Sequence, residues 1–465
     1  MSDEHLIIGA GPTGLGAAWR FEQLGVSWQL FEAETRPGGL SASFESDGFT
    51  WDLGGHIVFS HYEIFDRLLD SLLAPQEWIR HERRAFIRAL DRWVPYPFQN
   101  NVHYLPAAER EECLVGLREA SERPSEAPST FRQWIDQFAG PGIARLFLYP
   151  YNYKVWAYPP DMLSAHWLGE RVARPDIEQL SRDVSQGPSN NEWGPNRDFR
   201  FPRRGGTGAI WRKLADSLPR ERIHYGCPAV GVDVDGRRVT FADGRTESYH
   251  HLINTMPLDR FLHLSPLVDL AAESDRLLHN SVFVVGVGLR GSAPPGATDK
   301  TWLYFPEERV PFYRVTVFSN YSSGNAAPGC YSLMAEIAES PRKPAQASRL
   351  IRDCTRGMTD CKLICADSEV VHTWQRRLEY AYPVPSLERD EILGWILPVL
   401  EEKGILSRGR FGAWKYEVGN MDHSFAQGLE AADRIAKGRP EITLHHPELV
   451  NSAAGAVRSG SRPRA

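Results

Sequence analysis

Apolar and polar positions fall into a recognisable order from the start of the chain. His5 to Ile8 is a short apolar run, Gly9-Ala10-Gly11-Pro12-Thr13-Gly14 turns, and residues 15–24 repeat apolar side chains with helical period until Gly25 stops them. Residues 26–31 are apolar again and end on Glu32. The pattern predicts strand, glycine turn, helix and strand, with GxGxxG in the turn and an acid 18 residues past its last glycine. Gly9 permits the tight turn, Gly11 lets the backbone approach a pyrophosphate, and Gly14 lets helix and strand pack closely. The helix amino end, beginning at Pro12 and Thr13, offers N–H donors and positive potential. Glu32 is placed to hold a ribose diol. A bound dinucleotide follows, and this fingerprint alone does not separate NAD from FAD.

Residues 107–180 carry helix-like periods, interrupted by a polar stretch at 122–128 that reads as a loop. Beyond Phe199 the period shortens to that of strands. Val230-Gly231-Val232-Asp233-Val234 and Arg238-Val239-Thr240-Phe241 flank Asp235-Gly236, a hairpin signal, and Asp243-Gly244 marks the next turn. Further strands are predicted over 282–289, 301–305 and 313–318, and helices over 387–403 and 424–437. The order predicts an α/β fold in which a helical insertion and a strand-rich insertion interrupt one dinucleotide-binding domain. We expect a discontinuous Rossmann-like domain from residues 1–90, 200–265 and 405–440, a helical substrate domain at 105–195, and an antiparallel-sheet domain from 91–104 and 266–404. Residues 455–465, small residues mixed with Arg458, Arg462 and Arg464, read as a disordered tail.

Composition narrows the partners. The 465 residues are enough for several cores. Fifty-three Lys and Arg against 59 Asp and Glu give a net charge of −6, with no long like-charged block, which argues against nucleic acid. No apolar stretch reaches the roughly 18–20 residues that span a bilayer. No cleavable leader precedes the first apolar run, and the six cysteines form no CxxC pair. A soluble, cytoplasmic protein without a membrane partner is therefore expected. Cys354, Cys361 and Cys365 lie close together but match no zinc spacing, and no metal is expected. His250-His251 and His445-His446 read as solvent-facing.

Arg36-Pro37-Gly38-Gly39, just after Glu32, resembles the second glycine turn of glutathione-reductase and amine-oxidase flavoproteins, which favours FAD. Six further blocks sharpen the likeness. They are Asp52-Leu53-Gly54-Gly55-His56-Ile57-Val58-Phe59-Ser60-His61, Tyr96-Pro97-Phe98-Gln99-Asn100-Asn101, Tyr151-Asn152-Tyr153-Lys154-Val155-Trp156, Trp167-Leu168-Gly169-Glu170-Arg171, Phe312-Tyr313-Arg314 with Phe318-Ser319-Asn320-Tyr321, and Arg408-Gly409-Arg410-Phe411-Gly412 running to Tyr416-Glu417-Val418-Gly419-Asn420. In this order, from the first glycine turn to about Lys437, the chain resembles the UDP-galactopyranose mutases of the eukaryotic type.

The resemblance implies a Rossmann-like FAD domain and interconversion of UDP-galactopyranose and UDP-galactofuranose without net redox. Reduced FAD, with NADPH as reductant, would attack the anomeric carbon through N5 while UDP departs. By the same resemblance Arg171 and Arg314 meet the diphosphate, with Tyr304, Tyr321, Tyr382 and Tyr416 on its oxygens. Tyr96, Phe98, Gln99 and Asn152 fall where the family recognises uracil and ribose, and Phe147, Trp156, Asn196 and Trp302 at further pocket positions. Arg410 and Asn420 match residues beside flavin and sugar, and His56 belongs to a loop against the isoalloxazine. Gly9, Gly11, Pro12, Thr13, Gly14, Glu32, Gly38, Gly39, Leu40, Gly54, Gly55, Val230, Gly419, Met421 and Ser424 complete the implied cofactor contacts. Methionine at 421 departs from the polar residue usual there.

Taken singly, these residues have plainer readings: Arg171 as a surface pair with Glu170, each tyrosine as a packed aromatic, His56 as a loop histidine. Arg314, in a strand between Tyr313 and Val315, needs a partner if it points inward. The alternatives are a mutase for another UDP-hexopyranose, an amine-oxidase-like FAD oxidoreductase, or a flavin-binding protein without turnover. The resemblance also implies a homo-oligomer.

Overall fold

A computed structural model describes residues 4–122, 126–168, 180, 197–365 and 367–452. The predicted opening forms as a βαβ unit: strand His5–Ile8, helix Pro12–Leu24 and strand Trp28–Phe31. Gly25 ends the helix in the left-handed region at φ 66°, where only glycine lacks a steric penalty. These strands join a five-stranded parallel sheet in the order Ile405–Ser407, Leu252–Asn254, His5–Ile8, Trp28–Phe31, Ile223–His224. Its central strand is buried throughout, as a parallel sheet covered on both faces requires. The sheet thus gathers segments from both ends of the chain.

The last long helix, Met421–Lys437, packs directly on Pro12–Leu24. Glycines set how closely. A Cβ on Gly428 would stand 1.9 Å from the Thr13 carbonyl oxygen, and one on Gly16 would stand 2.6 Å from that of Phe425. The helix begins three residues before its predicted start, at Met421, so the amino end lies nearer the centre of the molecule than the sequence pattern indicates.

A second, seven-stranded sheet runs in the order Val370–Pro383, His279–Arg290, Cys330–Glu339, Arg314–Val317, Trp302–Tyr304, Ala85–Ala89, Arg92–Pro95. Its pairings are antiparallel except for the parallel pair Trp302–Tyr304 with Ala85–Ala89. The predicted hairpin at Asp235-Gly236 forms between Ala229–Asp233 and Arg238–Phe241, and Thr246–Ser248 adds a third strand. Helices Ala107–Glu122, Phe131–Ile143 and Tyr149–Trp156 build a layer over the second sheet, with Gly140 at φ 67° and Pro141 forcing a kink. Among the described residues no helix is long and apolar enough to cross a membrane.

One reading changes here. His251 is half-buried rather than solvent-facing, its ring against those of His5 at 5.2 Å and His250 at 4.5 Å. The turn Gly205-Gly206 packs on the β-hairpin Ser43–Ser46/Phe49–Asp52, where a Cβ on Gly206 would stand 2.2 Å from Asp52 Oδ1. There Thr207 and Gly208 donate to Asp52 and Ser43, away from the central cavity.

Candidate active site

Between the two sheets lies a cavity of about 1180 Å³. At one end stand the amino ends of the two packed helices. Gly9 (φ 101°) opens the first turn, its N–H donating to the Phe31 carbonyl at 2.8 Å. A Cβ at Gly14 would lie 1.8 Å from the Gly9 carbonyl oxygen, so the close strand–helix contact admits only glycine there. The second glycine turn packs on the first: Gly38 N–H donates to the Ala10 carbonyl, and a Cβ at Gly39 would come within 3.2 Å of the Gly11 Cα. Glu32 closes this end. Its buried carboxylate accepts the Ala10 N–H at 2.5 Å and the Glu34 N–H at 2.8 Å, and burial pushes its pKa up. Gly9, Gly11, Pro12, Thr13, Glu32, Gly39 and Leu40 line the cavity; Gly14 and Gly38 shape it from behind. Val230 is half exposed on its strand, and the neighbouring Ala229 lines the cavity instead.

In the middle, Gly54-Gly55-His56 follows the hairpin strand Phe49–Asp52 and lies against the second sheet. Gly55 donates its N–H to Glu336 at 3.0 Å and accepts the Trp302 indole N–H at 3.1 Å. A Cβ there would meet Thr316 Oγ1 at 2.3 Å. His56 is half-buried, and its desolvation outweighs the attraction of Glu336 and takes its pKa down to about 4, so the imidazole is neutral at pH 7. Its buried Nδ1 has no protein partner. Gly419, Asn420, Met421 and Ser424 bring the amino end of the late helix to the same wall, where its first N–H groups lack helical partners.

Glu336 organises the other end. It lies in the buried strand Cys330–Glu339 and receives Nε and Nη2 of Arg314, both at 2.7 Å, and the Tyr313 hydroxyl at 2.8 Å. Burial alone would raise its pKa, but the guanidinium and these donors hold it below the usual carboxylate range. Arg314 therefore has the partner that an inward charge in a strand demands. Arg314 lies 5.4 Å from the Trp302 ring centre, and Arg410 sits over Tyr382 at 4.9 Å and Tyr416 at 5.4 Å. Arg410 donates to the carbonyls of Ala381 and Gly419 at 3.0 Å. Desolvation keeps the hydroxyls of Tyr96, Tyr304 and Tyr382 protonated well past neutral pH.

The remaining residues singled out by sequence stand one layer back. Phe98 and Phe147 stack at 5.1 Å, and Phe147 stacks at 5.1 Å on the cavity-wall Tyr151, whose ring meets Tyr304 at 5.4 Å. Trp156 backs Tyr382 at 5.9 Å and Tyr416 at 4.9 Å. Gln99 and Tyr321 are buried, and the Asn152 amide donates to the Leu148 carbonyl at 2.7 Å. Arg171 and Asn196 lie outside the described residues. Sequence reasoning passed over Glu336, Arg83, Tyr151, His61 and Asp422, all on the cavity wall. The available signal for Glu336 was a lone acid in an otherwise buried run. His61 and Asp422 pair at 2.7 Å, with the His423 ring stacked on that of His61 at 4.6 Å.

A cradle that a Cβ would fill, a ribose-type acid and an orphaned imidazole nitrogen fit a bound dinucleotide flavin. Residues 12–436 match the family of flavin containing amine oxidoreductases, and the chain belongs to that family. Similar folds include a putative protoporphyrinogen oxidase from Exiguobacterium at 18% identity and TM-score 0.73, over 94% of this chain and all of that one. Within the family the chain sits among the UDP-galactopyranose mutases. A crystal structure of reduced UDP-galactopyranose mutase superposes at TM-score 0.94 with 44% identity, covering 97% of this chain and 99% of the other. The chain spans less of its curated relatives: 12% of a zeta-carotene-forming phytoene desaturase from Myxococcus xanthus (44% identity over 13% of this chain), and 60% of (S)-6-hydroxynicotine oxidase from Paenarthrobacter nicotinovorans (23% identity over 55% of this chain).

Proposed function

We propose that this chain is a UDP-galactopyranose mutase that interconverts UDP-galactopyranose and UDP-galactofuranose on bound FAD. The observation that carries the reading is the Arg314 guanidinium, enclosed with Tyr304 and Tyr382 in the cavity that also holds the GxGxxG cradle. An enzyme that merely oxidised amines would have no use for a cation and neutral phenols facing a diphosphate. The 44% identity to a reduced mutase over nearly the whole chain supports the same conclusion.

Reduced FAD supplies an electron-rich nitrogen as nucleophile toward the anomeric carbon. This chain's residues do the rest. Gly9, Gly11 and Gly39 admit the pyrophosphate of the cofactor, and Glu32 takes the ribose diol. Arg314 spends two of its five N–H donors on Glu336 and keeps the others for phosphate oxygens. Each charge-assisted contact contributes about 1.5–3 kcal/mol toward UDP departure and return. Tyr304, Tyr382 and Tyr416 add hydroxyl groups at the same place, and Arg171 and Tyr321 are assigned there by family likeness alone. Arg410 adds positive charge that favours the electron-rich anion of the reduced cofactor. Tyr96, with Phe98 and Gln99 behind it, faces the uracil end. The proposal includes NADPH as reductant, a cytoplasmic setting and a homo-oligomer.

Dithionite-reduced protein mixed with UDP-galactofuranose, followed by chromatography, tests the reading. Conversion to the pyranose only under reducing conditions is expected. Conversion of another UDP-sugar instead would move the substrate assignment, and amine-dependent oxygen consumption would replace it.

A further inference from the structure

Lys154, on helix Tyr149–Trp156 and 5% exposed, does not line the cavity. Its partners are main-chain groups. Nζ donates to the carbonyls of Glu307 and Val310, both at 2.9 Å. Those carbonyls belong to the loop joining Trp302–Tyr304 to Arg314–Val317, an antiparallel pair in which Tyr304 opposes Arg314. One amine therefore ties the helix to the hairpin that bears Trp302, Tyr304, Tyr313 and Arg314.

Burying an amine is costly, and an apolar side chain would fill the same volume without desolvation. What the amine provides is specificity of distance, since two carbonyls of an irregular loop need donors and both lie within reach of one Nζ. The charged and titratable groups around it are Lys343, Glu307, Glu308 and Cys361. Glu307 is engaged by Arg309 at 2.7 Å, and the Lys343 amine by the Ala338 carbonyl at 2.7 Å. Burial brings the Lys154 pKa down to about 7, and the amine can donate two hydrogens in either protonation state. The helix's other ties run elsewhere: Tyr153 to the Arg342 carbonyl, and Asn280 to the carbonyls of Val155 and Trp156.

Helix and hairpin meet in the cavity where the Tyr151 and Tyr304 rings lie 5.4 Å apart. We propose that Lys154 is a positioning residue, holding the helix of Tyr151, Asn152 and Trp156 at a fixed span from Arg314, so that one UDP can engage both its nucleoside and diphosphate sites. The inference rests on the mutase reading and deepens it.

The test is UDP affinity in FAD-loaded protein, measured by calorimetry for wild type, Lys154→Met, Arg314→Ala and the double variant. Lys154→Met is expected to retain FAD and to weaken UDP about tenfold, the size of one lost hydrogen-bond pair. In the Arg314→Ala background, where no grip on the hairpin side remains to be misplaced, the same change should cost twofold or less. Unchanged affinity in Lys154→Met, or an equal loss in both backgrounds, overturns the proposal. Should Lys154→Met fail to fold, Lys154→Gln, which keeps two amide hydrogens on a shorter stem, is measured in the same cycle and must show the same background dependence. Wild type that binds no UDP would overturn the mutase reading and this inference together, whereas wild type that binds it alongside an indifferent variant overturns the inference alone.

Discussion

Arg314 and Glu336 face each other across adjacent strands, in register, with two nitrogen–oxygen contacts of 2.7 Å. Because the same carboxylate accepts the Gly55 N–H, Arg314, which we propose meets the diphosphate, shares one anchor with the loop of His56. Whatever draws on the guanidinium is felt at the loop.

Removing the cation separates cofactor binding from turnover. Arg314→Ala should keep its FAD and lose two to three orders of magnitude in turnover, as about 1.5–3 kcal/mol per charge-assisted contact implies. The flavin absorbance ratio and the rate of pyranose formation are the two readings. Unchanged turnover would remove the diphosphate assignment.

Glu336→Gln keeps the shape but leaves the largely enclosed Arg314 guanidinium, 16% exposed, without its counter-charge. Breaking such a pair typically costs about 3–5 kcal/mol. We expect a melting temperature several degrees lower and weaker UDP binding. A variant with wild-type melting and UDP affinity would show that the pair organises nothing.

At the cofactor end, Glu32→Ala removes the carboxylate we propose holds the ribose and leaves the Ala10 N–H without its side-chain partner. FAD affinity should fall by tenfold or more, the cost of about one charged hydrogen bond. Fluorescence of released flavin on dilution measures it.

The pKa of His56 sets a pH dependence with a definite sign. Folded, it titrates near 4; unfolded, near 6.5. Between those values the unfolded chain binds the extra proton, so its contribution to stability is full above pH 6.5 and is lost as pH falls toward 4, by about 3 kcal/mol in all. Buried Asp52, raised to about 6, works in the opposite direction, so the comparison is made between proteins. His56→Gln should lose less melting temperature than wild type on going from pH 7.5 to 5. Parallel curves would contradict the burial of a neutral ring.

The amino-terminal unit was legible because its glycines, helix period and acid are local, and local spacing survives folding. The Asp235-Gly236 hairpin was legible for the same reason. Strand Cys330–Glu339 was not: buried on both faces, it shows no alternation, and its Leu, Met, Ala and Glu read as readily as a helix. With that strand went Glu336, whose importance depends on a partner 22 residues away. Val370–Pro383 was missed because its partly exposed positions are filled with charged and polar residues. Phe98, Phe147 and Trp156 were picked out by resemblance, but their place behind the cavity wall follows from packing between distant segments.

The close fit of helix Met421–Lys437 against Pro12–Leu24, set by Gly16 and Gly428, makes the cofactor end a joint product of both helices. The coenzyme's berth is shared between two helices far apart in sequence, Pro12–Leu24 and Met421–Lys437, so neither segment forms it alone. A chain from which Met421–Lys437 is deleted is expected to purify colourless, its remaining half-berth too open to retain a flavin.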